Sequence, residues 1–151
     1  MGLKCSHGAF DGAYGAFHRF RQVVCQSIGG SYPPHYFRYL NGNFAKDENN
    51  NLIESNEWSD EEIYFPDFFT QESTPGIWEF FVHSDHDGFI DYKLCKKIAD
   101  ELTKHALPNI EKYENSSYGH IEGLGGYKQV LIDFICGCNM AYNNKENLSF
   151  N

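Results

Sequence analysis

FDGAYGAFHRFRQVVCQSI, residues Phe10 to Ile28, repeats its apolar side chains at the spacing of a single helix face. Phe10, Ala13, Phe17, Phe20, Val24 and Ile28 step by three or four, which a 3.6-residue turn stacks along one side. Asp11 stands where an N-cap belongs, and Gly29-Gly30 where a helix stops. A helix with three rings on one face needs an apolar partner layer, so the rest of the chain is read outward from it.

The same stretch carries a second stripe. His7, Asp11, Tyr14, His18, Arg21 and Cys25 step by four, three, four, three and four, and would line a polar seam about 100° around from the apolar face if the helix reaches back to His7. Two readings apply. Boundary positions commonly hold amphipathic residues that pack with their stems and keep their tips wet; alternatively the seam is one wall of a site.

Outward from this helix, Gly2 to Cys5 alternates as a short first strand. The opening MGLKCS also fits the Met-Gly-x-x-x-Ser lipidation pattern. Residues 29 to 56 dissolve into turn signals, including Pro33-Pro34, Asn41-Gly42 and an asparagine run, and residues 41–60 read as an exposed loop. Tyr36 to Leu40 is a short helix or strand, and Ile63 to Phe65 an extended piece. Thr74-Pro75 starts a helix through GIWEFFVH. Asp91 caps another, with Leu94, Ile98, Leu102 and Ala106 on one face, and Pro108 closes it. After a glycine-rich linker from Ser116 to Gly126, a last helix runs from about Tyr127 to Tyr142, burying Val130, Leu131, Phe134, Ile135 and Cys138. The tail ENLSF returns as a strand beside Gly2 to Cys5. The expectation is one domain over 1–151, α+β and predominantly α-helical, with about four helices and a small terminal β element.

Composition narrows the partners. The 151 residues hold thirteen Phe and ten Tyr, an aromatic surplus that suits a ligand pocket or an oligomer interface. Net charge is −9, and the twelve Lys and Arg form no run. A nucleic-acid polymer, which requires a positive footprint, is therefore not the expected partner. A small anion remains compatible, because one or two arginines and a helix N-terminus hold a phosphate inside an acidic protein. The five cysteines make no disulfide framework, so reduced thiols and a cytoplasmic location are expected. No apolar run approaches the roughly 20 residues of a membrane span, and no signal-peptide pattern opens the chain.

Between the second and third helices lies HSDHDGFID, His83 to Asp91. A calcium loop aligned on Gly88 places Asp85 and Asp87 at liganding positions 3 and 5, but His83 occupies position 1 and Leu94 position 12, so the first carboxylate and the bidentate acid are missing. His83, Asp85, His86 and Asp87 mix nitrogen and oxygen donors acceptable to zinc, manganese or iron, and would need further ligands such as His7, Asp11 or His18. Cys136 and Cys138, two apart on a helix, face away from each other and read as core filling. A third reading makes the loop part of an organic-ligand pocket. His83 and Asp85 would lie beside the polar seam, Arg21 would pair with a phosphate or carboxylate, Tyr14 with a Phe or Trp78 would stack on a base, and Asp11 or Asp85 would accept from ribose hydroxyls. The plain alternative is an Asx turn followed by a capped helix.

Gly2-Leu3, Ser6-His7, Gly12-Ala13-Tyr14, Ala16-Phe17 and Arg19, followed by His83-Ser84-Asp85, Asp87-Gly88 and Ile98-Ala99-Asp100, resemble the motifs of a family of small functionally unassigned proteins of bacteria and their phages. The resemblance covers both ends of the chain and omits residues 29–73. What it implies is context: compact acidic phage proteins include some that disarm host defence by enclosing a nucleotide messenger in an oligomeric pocket, and such enclosure suits a homo-oligomer.

The expected function is therefore a binding protein that sequesters a small anionic nucleotide-like molecule, using His7, Asp11, Tyr14, His18, Arg21, His83 and Asp85 and no cofactor. One alternative is a metal-dependent phosphodiesterase or hydrolase, with a divalent ion on His83, Asp85 and Asp87. The other is a protein-binding inhibitor of a host enzyme.

Overall fold

The computed structural model of the chain describes residues 2–30, 39–40, 43–44, 46–51, 65–66, 68–84, 87–116 and 120–151. Helices α1 (Tyr14–Ser27), α2 (Pro75–Val82), α3 (Tyr92–His105), α4 (His120–Gly123) and α5 (Tyr127–Asn144) are accompanied by strands β1 (Gly2–Lys4), β2 (Asp11–Ala13), β3 (Tyr39–Leu40), β4 (Asn43–Phe44), β5 (Phe89–Ile90) and β6 (Leu148–Ser149). The architecture is α+β and mainly helical, as the periodicities predict.

Phenylalanines hold the centre. Phe17 and Phe20 of α1 meet Phe80 of α2 and Phe134 of α5, with ring centroids 5.1 to 6.4 Å apart in tilted and edge-on geometries. These are the separations at which aromatic quadrupoles attract. Two glycines let the layers close. A Cβ at Gly76 would lie 2.5 Å from the backbone of Lys97 and Ile98, so α2 crosses α3 at backbone contact. At Gly137 it would lie 2.5 Å from the Ala9 side chain, which seats α5 against the chain just before β2.

α1 begins later than its apolar repeat suggests. His7 and Gly8 take left-handed φ values of 60° and 69° and reverse the chain. Asp11–Ala13 then pairs antiparallel with Gly2–Lys4, Leu3 opposite Gly12. Asp11 is thus a strand residue, and Ala13, with no side-chain cap, precedes the helix. Two consecutive left-handed residues leave no trace in hydrophobic spacing, so a repeat shared by strand and helix reads as one helix. The far end matches expectation: the N–H of Gly30 donates to the Cys25 carbonyl and Gly29 adopts φ 86°.

The remaining helices follow their signals. Pro75 takes the first position of α2. The Asp91 carboxylate accepts from the Lys93 N–H at 2.8 Å and caps α3. α5 buries all five expected residues and runs on to Asn144. The segment read as a linker from Ser116 to Gly126 holds the short α4, anchored by fully buried Ile121, and a 3-10 turn at Ile110–Ser116 leads into it, anchored by fully buried Ile110.

The tail returns as predicted, though in a more central place. β6 pairs with β5, while Cys5 bridges Phe150 and Lys4 exchanges two 3.1 Å backbone bonds with Asn151. The last residues therefore lie between β1 and β5. Residues 46–51 are exposed around an Asp47 turn, as read for that part of 41–60; the rest of that loop outside 43–44, and Ile63–Tyr64, lie outside the described residues.

Candidate functional site

Tyr14, His18, Arg21 and Cys25 of the predicted seam stay in line on α1, whereas His7 and Asp11 precede the helix. His7 sits on the left-handed turn, its Nδ1 2.8 Å from the Ser6 hydroxyl and its Nε2 3.5 Å from a Glu146 carboxylate oxygen. Asp11 is exposed on β2. Tyr14 and His18 are half-buried on the first two turns of α1. Trp78 packs on Phe65 with centroids 5.3 Å apart. Asp87 is exposed, and Asp85 and His86 lie outside the described residues.

Arg21 and His83 do come together, in a structural role. Arg21 is only 4% exposed. Its guanidinium carbon lies 4.6 Å from the Phe17 ring centre and 5.7 Å from that of Phe80, and one NH2 donates to the His83 carbonyl at 2.9 Å. That carbonyl belongs to the residue that ends α2, so Arg21 fastens α1 to the negative end of α2. The His83 ring lies 4.4 Å from Phe150, with Nδ1 2.7 Å from the Ser84 carbonyl and Nε2 3.1 Å from that of Phe89. Both ring nitrogens thus face backbone carbonyls of the segment that follows α2. Among the described residues no group of three or more His, Cys, Asp and Glu is placed to hold a metal.

Helix N-termini, the usual receptors for phosphate, are largely taken by the chain's own carboxylates. Glu101 accepts from the Gly76 and Ile77 N–H groups at 3.0 and 3.2 Å at the head of α2. Asp91 does so on α3, and Glu114 accepts from the Lys128 N–H at 2.6 Å on α5. A described recess of about 130 Å³ is lined by Gly8, Ala9, Phe10, Asp11, Leu124, Val130 and Asp133. Two aspartates at its wall repel anions, and its volume falls short of the roughly 300 Å³ at which ligand pockets begin.

A different polar stripe is the stronger candidate. Arg19, Gln22 and Gln26 step by three and four along α1 and are 9%, 0% and 7% exposed. At 100° per residue they lie on the side of α1 opposite Phe17, Phe20 and Val24. One guanidinium and two carboxamides thus occupy the interior in a row, with Gly15 continuing the line toward the helix start. The Tyr113 hydroxyl donates to the Gln26 carbonyl at 3.4 Å, and burial raises the pKa of that phenol. Their spacing alone does not mark them, because a polar face opposite an apolar one is the pattern of a solvent-facing surface.

Comparison with protein-family models, with curated proteins and with solved structures finds no match. Among the described residues, no helix is long and apolar enough to cross a membrane.

Proposed function

We propose that this protein works by binding, and that the chain covering the Arg19–Gln22–Gln26 face of α1 parts to admit a small anionic nucleotide-like molecule against it. The supporting observation is that row of one cation and two amides, each at least nine-tenths buried, in a mainly apolar core. Polar groups are costly to bury and are retained where hydrogen bonding or recognition requires them. A guanidinium matches the paired oxygens of a phosphate or carboxylate, and a glutamine side chain matches the donor and acceptor edge of a base such as adenine. The five cysteines, all thiols, support placing the protein in a reducing compartment.

Calorimetric titration with a panel of cyclic nucleotides and ADP-ribose derivatives tests this. One member binds saturably and is recovered intact after denaturation. Arg19→Gln, in a chain whose circular dichroism and thermal midpoint stay near native, weakens it by about tenfold or more, the scale of one charge-assisted hydrogen bond. Silence across the panel, binding indifferent to Arg19→Gln, or recovery of a cleaved ligand each overturns the proposal, the last in favour of hydrolase chemistry.

A further inference from the structure

The two ends of the chain meet at the turn Ser6–Gly8. The Ser6 hydroxyl lies 2.8 Å from the His7 Nδ1, and the His7 Nε2 lies 3.5 Å from a carboxylate oxygen of Glu146, the second residue beyond α5. From β6, the Ser149 N–H donates to the Ser6 Oγ at 2.9 Å. These contacts match the one N–H and one lone pair of a neutral imidazole. A carboxylate only accepts, so Nε2 carries the hydrogen and Nδ1 turns its lone pair to the hydroxyl; Ser149 occupies an Oγ lone pair and leaves the Ser6 O–H to donate to that nitrogen. A hydroxyl, a base, and a carboxylate that holds the base in the right tautomer form the relay that makes a serine nucleophilic.

The backbone is bent to build this cluster. His7 at φ 60° and Lys145 at φ 55° are two of the three described non-glycine residues in the left-handed region. Lys145 ends α5 and the Glu146 N–H closes on the Ala141 carbonyl at 2.9 Å, which places Glu146 opposite the His7 ring. Left-handed backbone under a side chain is costly and gathers where a side chain has to be aimed. The His7 side chain is 12% exposed and Ser6 is half-buried, so the pair is held in place yet reached from solvent. The recess described above begins at Gly8, the next residue. Phe10, Leu124 and Val130 give it apolar wall for a short acyl or alcohol group, while Asp11 and Asp133 turn carboxylates away.

We propose that Ser6, His7 and Glu146 form a hydrolytic site, outside the Arg19 face, that cleaves short uncharged or cationic carboxylic esters. The Ser6 Oγ bonds to the acyl carbon as its proton passes to the His7 Nδ1; the ester C–O bond then breaks, and the alcohol leaves with that proton. Water, giving a proton to the same nitrogen, attacks the acyl-serine; the acyl–Oγ bond breaks, the carboxylic acid departs, and Ser6 recovers its hydrogen from His7. Glu146 is a positioning residue, which orients the imidazole and balances its transient charge without touching substrate.

The test uses the full chain with p-nitrophenyl acetate as substrate and an alkyl fluorophosphonate as trap. Nitrophenol is released over many turnovers, and the trap stops release with one adduct that peptide mass mapping places on Ser6. Ser6→Ala and His7→Asn, the latter keeping a residue that tolerates left-handed backbone, each lower turnover by about a hundredfold or more at near-native circular dichroism. Glu146→Gln lowers kcat by about two- to fivefold with KM unchanged, the scale of an exposed charged contact. Mono-p-nitrophenyl succinate, which bears a carboxylate, turns over more slowly than the acetate. A folded chain that gives neither turnover nor adduct, an adduct on another residue, or release indifferent to Ser6→Ala overturns the proposal. Unchanged kcat in Glu146→Gln overturns the role of Glu146, and equal rates for the two esters overturn that of the recess.

Discussion

α1 and α3 are each fourteen residues long and obey different rules. α3 buries Cys95, Ile98, Ala99 and Leu102 along one stripe, and its lysines point outward. α1 buries eleven residues, including Arg19, Arg21, Gln22, Gln26 and Ser27, and is wrapped on every side beyond its second turn. On a peripheral helix polarity reports exposure. On a central helix it reports which interior groups are hydrogen-bonded, so the same letters carry opposite meanings.

The sharpest way to break this contrast is to hollow out the wrapped helix. Phe17 touches the rings of Phe10, Phe20, Phe80, Phe134 and Phe150 and supports the Arg21 guanidinium. Phe17→Ala is expected to cost about 3–5 kcal/mol, read as a lowered denaturant midpoint. A loss below about 1.5 kcal/mol, the range of volume-conserving core changes, would show that α1 is not the centre of the core.

The two helices also carry cations that should respond differently. Arg21→Ala leaves the His83 carbonyl without its guanidinium donor and removes a stem packed on two rings, a loss of about 1–3 kcal/mol. Lys96→Ala removes a half-exposed pair with Asp100, worth about 0.5 kcal/mol or less. Equal losses in equilibrium unfolding would erase the distinction between the helices. Helix starts offer a smaller version: Asp91→Ala is expected to cost about 1 kcal/mol by uncapping α3. α1 has no side-chain cap to lose.

How far the sequence could be read follows the same division. α2, α3 and α5 lie where Thr74-Pro75, Asp91 and the Val130–Cys138 repeat place them, because caps and amphipathic stripes are local properties. The tail was legible as a strand beside Gly2 to Cys5, but its insertion between β1 and β5 also needs Leu148 to pair with Ile90, which no local pattern marks. The predicted site fared differently. Among its described residues Arg21 and His83 meet, through a backbone carbonyl. What buries Arg19, Gln22 and Gln26 is the covering of α1 on its second side, a tertiary fact that one helix's spacing does not contain.

The smallest expected effect lies at the exposed end of α3. The His105 ring meets the edges of Phe68 and Phe69, with centroids 5.5 and 5.1 Å away. Desolvation by these neighbours, followed by the charge of Lys104, lowers its pKa below the usual 6.5, with Glu101 opposing. The native protein therefore holds a proton on His105 less readily than the unfolded chain does. As pH falls through 6.5 the unfolded state gains protons first, and stability drops until pH passes below the native value, where both states are protonated. Above that window His105 is neutral in both states and contributes no slope. Thermal melts between about pH 7 and pH 5 should show a small decline in midpoint that His105→Gln flattens. An unchanged slope in His105→Gln would mean that the aromatic contact does not desolvate the imidazole, and that the end of α3 is as open to water as its lysine-bearing face.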